Sequence, residues 1–292
     1  MSMMMLQRVG LIVHTDKPDA LRFTREAVEW LRQHGLQVLL EPEIAGALGM
    51  PQYQCEESAL CQSDLLIALG GDGTILRASH LGAPRAIPIL GVHLGRFGFI
   101  AQVKPQDLRA AIARVQAGDY TIEKRLMVRA IVHREGKPIC DALALNEVVV
   151  TKGAVARMIT LQTYVNDTFL ATYSADGLVV STPTGSTAYS LSAGGAIVDP
   201  ACEVLLLTPI CAHTLSARPL ILPAEKQVKV LVTADDGEFH LQADGGEAVS
   251  LRSGDAVRVF RAQERTHLIV FDPDEFYTKL RDRLLWGERV NV

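Results

Sequence analysis

A run of five apolar residues, Leu65-Leu66-Ile67-Ala68-Leu69, meets Gly70-Gly71-Asp72-Gly73-Thr74 and then the helix-compatible run Ile75-Leu76-Arg77-Ala78. That order predicts a buried strand, a tight turn and a helix. The glycines let the backbone turn sharply and come close to a ligand. The helix start offers N–H groups to an anion. A carboxylate in such a turn repels phosphate, so Asp72 needs a task of its own, such as taking a proton or holding a metal ion. The residues alone leave a further role open, that of a turn former or N-cap.

The flanking sequence alternates strand and helix. Arg8 to His14 reads as a strand, and Asp19 as the cap of a helix from Ala20 to His34. Ala20, Phe23, Ala27, Val28 and Leu31 share one face of that helix, and Gly35 suits its stop. Gln37 to Glu41 is a second strand, Pro42 to Tyr53 a loop, and Cys55 to Cys61 a short helix. The helix after the glycine turn ends near Leu81, Ile87 to Val92 is a fourth strand, and another helix starts at Pro105. Short strands joined by helices predict a parallel sheet covered on both sides, with ligands at the C-terminal ends of its strands.

From about Thr121 the helical periodicity gives way to strand-like runs. Leu126 to Val132, Ala142 to Thr151, Ile159 to Val165, Ala256 to Phe260 and Leu268 to Phe271 are examples. Turn signals such as Asn166-Asp167, Asp236-Gly237 and Ser253-Gly254-Asp255 separate them. Asp274 to Leu285 reads as helix again. The expected fold is an α/β N-terminal domain with a parallel, Rossmann-like sheet, followed by an all-β C-terminal domain. The first covers residues 1–120, joined by 272–292 as the C-terminal helix returns to it; the second covers 121–271.

The chain has 292 residues, enough for two cores. Its net charge of −4 gives no basic surplus for nucleic acid or an anionic membrane, and 5% aromatic residues give few platforms for stacking bases. Val9 to Val13 is too short for a signal-peptide core or a span, and no apolar run reaches the roughly 18 residues of a membrane helix. A soluble, cytoplasmic protein is expected. The cysteines, 55, 61, 140, 202 and 211, form no Cys-x-x-Cys pair, so free thiols are expected rather than a disulfide framework or zinc site.

Several nucleotide and catalytic signatures are missing. There is no Gly-x-x-x-x-Gly-Lys-Ser/Thr, Leu76 stands where a third Rossmann glycine would be, and neither His-Arg-Asp nor Gly-x-Ser-x-Gly occurs. Two other stretches stand out. Ser181 to Ser192 carries seven Ser and Thr hydroxyls plus Tyr189, a composition that suits either a polar ligand site or a surface turn. Asn146-Glu147 opens the apolar run Val148 to Val150, and its groups suit a ribose or a base edge, or a plain strand-edge turn. His213, in His213 to Pro219, is open between catalysis and structure.

Taken in order, Gly70 to Thr74, Asn146-Glu147, Asp176-Gly177, Thr182 to Ser192 and His213 to Pro219 resemble NAD kinases of the bacterial type. The resemblance spans almost the whole chain. It implies a kinase that phosphorylates the adenosine-ribose 2′-hydroxyl of NAD to make NADP, with ATP as donor and inorganic polyphosphate also used by some relatives. It implies that Asp72 is the proton acceptor. Gly73, Asn146, Glu147, Asp176, Thr187, Ala188, Tyr189, Ser190, Leu191 and Ser192 match positions lining the nucleotide site. Thr184 and Phe99 fall at other family contacts, and Arg157 matches a basic position near the dinucleotide. Relatives form dimers or tetramers, so Asp176 is expected to act across a subunit interface. A divalent cation, Mg²⁺, would screen the donor phosphates. Arg77, one turn past Asp72, would neutralise phosphate charge or stand as an exposed helix residue. Asp244-Gly245-Gly246-Glu247 and Ser174 depart from the family pattern, and what the first of these contacts is open. The Gly-Gly-Asp-Gly element is shared with diacylglycerol-type lipid kinases; a lipid kinase and a non-catalytic NAD(P) sensor are the alternatives.

Overall fold

The computed structural model describes residues 6–14, 18–95, 98–153, 158–214, 216–233 and 238–285. Arg157 and the Asp236-Gly237 turn lie outside the described residues. Contacts within the chain divide it into two units, residues 1–124 with 266–292, and residues 125–265.

In the first unit, β1 (Arg8–Val13), β2 (Gln37–Leu40), β3 (Leu65–Gly70) and β4 (Pro88–His93) form a parallel sheet in the order β2-β1-β3-β4. Apart from Arg8, Gln37 and His93 at their ends, its strands are apolar because both faces are covered, and every residue of β3 is buried. α1 (Pro18–Gln33) lays Ala27, Val28 and Leu31 on a core shared with Val9, Leu11, Ile67 and Leu90. This helix starts at Pro18, so Asp19 lies in its first turn rather than at its cap.

The segment expected to be a loop after β2 contains a helix instead, α2 (Pro42–Leu48). Pro42 occupies its first turn and Gly49, at φ 65°, ends it, with the Gly49 and Met50 N–H groups donating to Gly46 and Ala45. Proline and glycine here punctuate a helix start and stop. Ile44, Ala45 and Leu48 justify it by burial. A single turn, α3 (Glu57–Leu60), leads to β3, which delivers α4 (Asp72–Gly82). After β4 comes α5 (Leu108–Ala117), which buries Leu108, Ala111, Ile112 and Val115 and stops at Gly118.

The second unit holds two sheets. One contains β5 (Thr121–Arg134), β6 (Lys137–Ala144), β8 (Ile159–Val165), β9 (Thr168–Ala175), β13 (Val228–Thr233) and the first part of β16 (Ala256–Val270). The other runs β12-β11-β10-β7-β14-β15, all antiparallel, with β7 (Glu147–Lys152), β10 (Gly177–Ser181), β11 (Val204–Ile210), β12 (Leu220–Pro223), β14 (Phe239–Ala243) and β15 (Val249–Leu251). Alternate residues of the two sheets build one core: Val128, Ala130, Leu161 and Val230 from the first meet Val148, Val150, Leu178 and Leu205 from the second.

Two expected strand boundaries differ. The run Ala142 to Thr151 is two strands, broken at Leu145-Asn146, where the chain passes from the first sheet to the second. The runs Ala256 to Phe260 and Leu268 to Phe271 belong to one long strand, β16, ending at Val270. Its charged middle is compatible with strand because Glu264 pairs with Arg129 at 2.6 Å and Arg265 grips Glu203 with two bonds of 2.6 and 2.9 Å. The end of β16 continues the first unit's sheet, parallel to β4 through His267↔Pro88 and Leu268↔Ile89.

The C-terminal helix α7 (Glu275–Leu284) packs in the first unit, as expected. Its Lys279 Nζ donates to the Ala101 carbonyl at 2.6 Å. Among the described residues no helix is long and apolar enough to cross a membrane.

Candidate active site

The glycine turn stands at the C-terminal end of β3. Gly71 is the N-cap position of α4, so Asp72 is its first residue, where a negative charge is favoured by the helix dipole. Two backbone N–H groups of the loop after β4 fix its carboxylate: Phe99 donates to one oxygen at 2.8 Å and Ile100 to the other at 3.2 Å. Gly98 makes this approach possible, because a methyl group there would fall on the Asp72 carboxylate itself. A carboxylate has about four acceptor positions, so two remain after these bonds. Beside the turn lies a pocket of about 400 Å³ lined by His14, Gly70, Gly71, Gly73, Thr74 and Leu94.

Arg77, one turn on, is committed elsewhere. Its guanidinium makes two bonds to Glu41, at 2.7 and 2.8 Å, and a third to the Val13 carbonyl at 3.2 Å. Spacing along the chain carries no sign of this pair, because Glu41 stands between β2 and α2, 36 residues before Arg77.

In the second unit, Asn146 and Glu147 occupy the corner between β6 and β7. Asp244 builds that corner. Its carboxylate accepts the N–H groups of Leu145 and Asn146, each at 2.7 Å, and of Glu147 at 3.1 Å. Asp244 itself has φ 50°, a left-handed conformation that Asp tolerates better than most residues. This answers what the Asp244 segment contacts. The hydroxyl-rich stretch secures the same corner from the other side. Thr182 Oγ1 donates to the Leu145 carbonyl and Ser181 Oγ to the Asn146 carbonyl, at 2.5 and 3.2 Å. A side chain at Gly185 would strike the Asn146 backbone.

Many hydroxyls expected to face a ligand are therefore occupied within the protein. Ser186 bonds both N–H and carbonyl of Val198, Ser190 bonds Thr208 at 2.9 Å, and Arg125 reaches Thr184 Oγ1 at 3.4 Å. The stretch folds as a short 3₁₀ turn over Thr184–Thr187 and one helical turn, α6 (Tyr189–Ser192), and Tyr189 and Ser192 remain exposed. Thr187, Ala188 and Leu191 are half-buried. Asp176 pairs with Lys152 of its own chain at 2.7 Å, and His213 is exposed.

Two atoms at the corner break the rule that buried polar groups are paired. Asn146 Oδ1 and Glu147 Oε2 are buried with no hydrogen-bond partner among the described residues. Burial chiefly, and then the Asp244 charge, push the Glu147 carboxyl up to about 8, against the pull of the Tyr189 N–H. Glu147 thus keeps its proton at neutral pH in the folded chain, while the unfolded chain loses it near 4.5. The folded state binds the extra proton, so its stability falls as pH rises from 4.5 to about 8 and levels off above that. Melting temperatures of the unliganded protein across this range are expected to show that slope, and Glu147→Gln to remove its share. A slope unchanged by the substitution would place the titration elsewhere.

Residues 9–120 match the family model for the ATP-NAD kinase N-terminal domain, and residues 145–271 match that for the C-terminal domain. The chain is 43% identical over 282 residues to the NAD kinase of Moorella thermoacetica, covering 97% of this chain and 90% of that one. Its fold superposes on yeast NADH kinase in complex with NADH with a TM-score of 0.92, at 24% identity, covering 98% of this chain and 89% of the other. An NAD kinase from Archaeoglobus fulgidus in complex with ATP gives 0.75, also at 24% identity, over 96% and 99%. With both halves matched in order and a relative alike along nearly its whole length, the chain belongs to the NAD kinase family.

Proposed function

We propose that the chain transfers the γ-phosphoryl group of ATP to the adenosine-ribose 2′-hydroxyl of NAD, forming NADP and ADP. The observation that carries this reading is the Asp72 carboxylate, held by two N–H groups at a glycine-rich helix start with acceptor positions to spare. Phosphoryl transfer needs alignment and charge stabilisation more than covalent help from the protein. Asp72 accepts the ribose proton as the hydroxyl oxygen attacks phosphorus and the bond to the ADP oxygen breaks. Gly73 and the first turn of α4 offer backbone N–H groups to the donor phosphates. The unpaired Asn146 Oδ1 and the protonated Glu147 offer an acceptor and a donor to the dinucleotide. Phe99, Asp176, Thr187, Ala188, Tyr189, Leu191 and Ser192 complete the nucleotide contacts in this reading, with Arg157 as a further one, while the buried Thr184 and Ser190, bonded to Arg125 and Thr208, shape the stretch that carries them. Arg77 joins them only by leaving Glu41.

No group of three or more His, Cys, Asp or Glu among the described residues is arranged to hold a metal ion, so Asp72 belongs to no such cluster. These residues do not form a protein-built cation site, so the divalent ion of this reading, Mg²⁺, enters with the donor phosphates as part of the substrate. Polyphosphate is a second donor of the same chemistry. Self-association is supported by β9, an edge strand that exposes Phe169 at 56% and Leu170 at 37%. A cytoplasmic setting agrees with five free cysteines. Incubation with ATP, Mg²⁺ and NAD, followed by enzymatic detection of NADP, tests the activity. A folded protein that forms no NADP would overturn it, and a lipid kinase or a pure NAD(P) sensor would then remain.

A further inference from the structure

The loop that holds Asp72 is itself held from behind by the C-terminal helix. Lys279 of α7 is only 7% exposed, and its ammonium donates to the carbonyls of Ala101 at 2.6 Å and Phe99 at 3.4 Å. Glu275, one turn earlier, balances that charge at 3.4 Å. The Arg283 guanidinium sits over the Phe99 ring, 5.4 Å from its centre. Gln102 anchors the other end of the loop, accepting the Phe271 N–H at 3.0 Å and donating to the Asp272 carbonyl at 3.4 Å. Residues 99 to 101 therefore present N–H groups forward to Asp72 and carbonyls backward to Lys279.

A buried ammonium is costly unless its partners use it, and here two of those partners are carbonyls of the loop that fixes Asp72. Tethering a terminal helix does not require that placement. The ion pair with Glu275 lies within α7 alone and cannot orient the loop.

We propose that Lys279 is a positioning residue for phosphoryl transfer: through the Phe99 and Ala101 carbonyls it sets the two N–H groups that aim the Asp72 carboxylate. This inference rests on the reading of Asp72 as proton acceptor, and the test separates the two. Steady-state rates and NAD-induced thermal shifts are measured for wild type, Asp72→Asn, Lys279→Met and the double variant. Lys279→Met keeps the aliphatic stem and removes the donors. Its kcat is expected to fall about tenfold or more, the scale of a misplaced catalytic group. The KM for NAD should stay within about twofold, because uniform substrate binding is untouched. In the Asp72→Asn background the same change should cost little further, since a residue acting through Asp72 has nothing left to aim. Lys279→Arg, which retains donors, should restore part of the rate. Wild-type kcat in Lys279→Met, or an equal loss with and without Asp72, overturns the inference while leaving the base reading intact. Wild-type turnover in Asp72→Asn overturns the base reading itself and the inference with it. Should Lys279→Met not fold, Lys279→Leu, which also lacks donors, carries the same cycle with the same outcomes.

Discussion

Asp72→Asn is expected to bind NAD like the wild type and to form NADP at least ~100-fold more slowly, within the range that general acid–base groups contribute. The substitution keeps the size of the side chain and one acceptor for the Phe99 or Ile100 N–H. It removes the charge and the basicity. Its amide NH₂ also faces the second of these N–H groups, a repulsive arrangement costing about 1–3 kcal/mol if neither moves. Asp72→Ala loses both acceptors, so its melting temperature should be lower than that of the Asn variant, while both are nearly inactive. That separation of stability from rate distinguishes proton transfer from loop anchoring. Differential scanning fluorimetry with and without NAD, together with an NADP-coupled assay, reads both quantities. Near-wild-type turnover in the Asn variant would remove Asp72 from the proton step.

Asp244→Ala is expected to lower stability more than a surface substitution can, and to weaken NAD binding by tenfold or more, about 1.4 kcal/mol. One carboxylate accepts three consecutive N–H groups, and hydrogen bonds to a charged acceptor contribute about 1.5–3 kcal/mol each, without simple additivity. Alanine at φ 50° adds roughly another 1 kcal/mol of backbone strain. The corner that would relax carries Asn146 and Glu147, each with a buried side-chain oxygen that no described residue pairs. Asp244→Asn tolerates the same backbone and keeps one acceptor, so it should fall between the two. Either change removes the charge that helps raise Glu147, and the carboxyl should titrate at lower pH. Isothermal titration with NAD and a pH series of melting curves measure these effects. Unaltered affinity in the Ala variant would mean that the corner is held well enough by Thr182 and Ser181 alone.

The strands and helices that carry strong periodicity were legible in the amino-acid order. Leu65 to Leu69 reads as a buried strand because no polar residue interrupts it, and α5 because its apolar residues recur at helical spacing. Local signals mislead where they have two meanings. Pro42 and Gly49 bound a loop in one reading and a helix in the other, and burial of Ile44 and Leu48 decides between them. Ala142 to Thr151 looked continuous because Asn146 and Glu147 alone interrupt it, and the break depends on Asp244, nearly a hundred residues away.

The site divides along the same line. Motif residues stood out because glycine, carboxylate and hydroxyl side chains are unusual at such density beside an apolar strand. From order and spacing alone, the sequence determined that Asp72 lies in a glycine turn between a buried strand and a helix, and that Asn146-Glu147 opens the apolar run Val148 to Val150. Its motifs pointed to the family that the full-length comparisons confirm. Only the tertiary structure decided how those groups are used. It turned Ser186 and Ser190 inward, paired Arg77 with Glu41, and set Lys279 behind the loop that grips Asp72. The physical reason is that a motif specifies chemical groups, whereas hydrogen-bond direction and burial depend on partners brought together by packing. Spacing along the chain does not encode those partners.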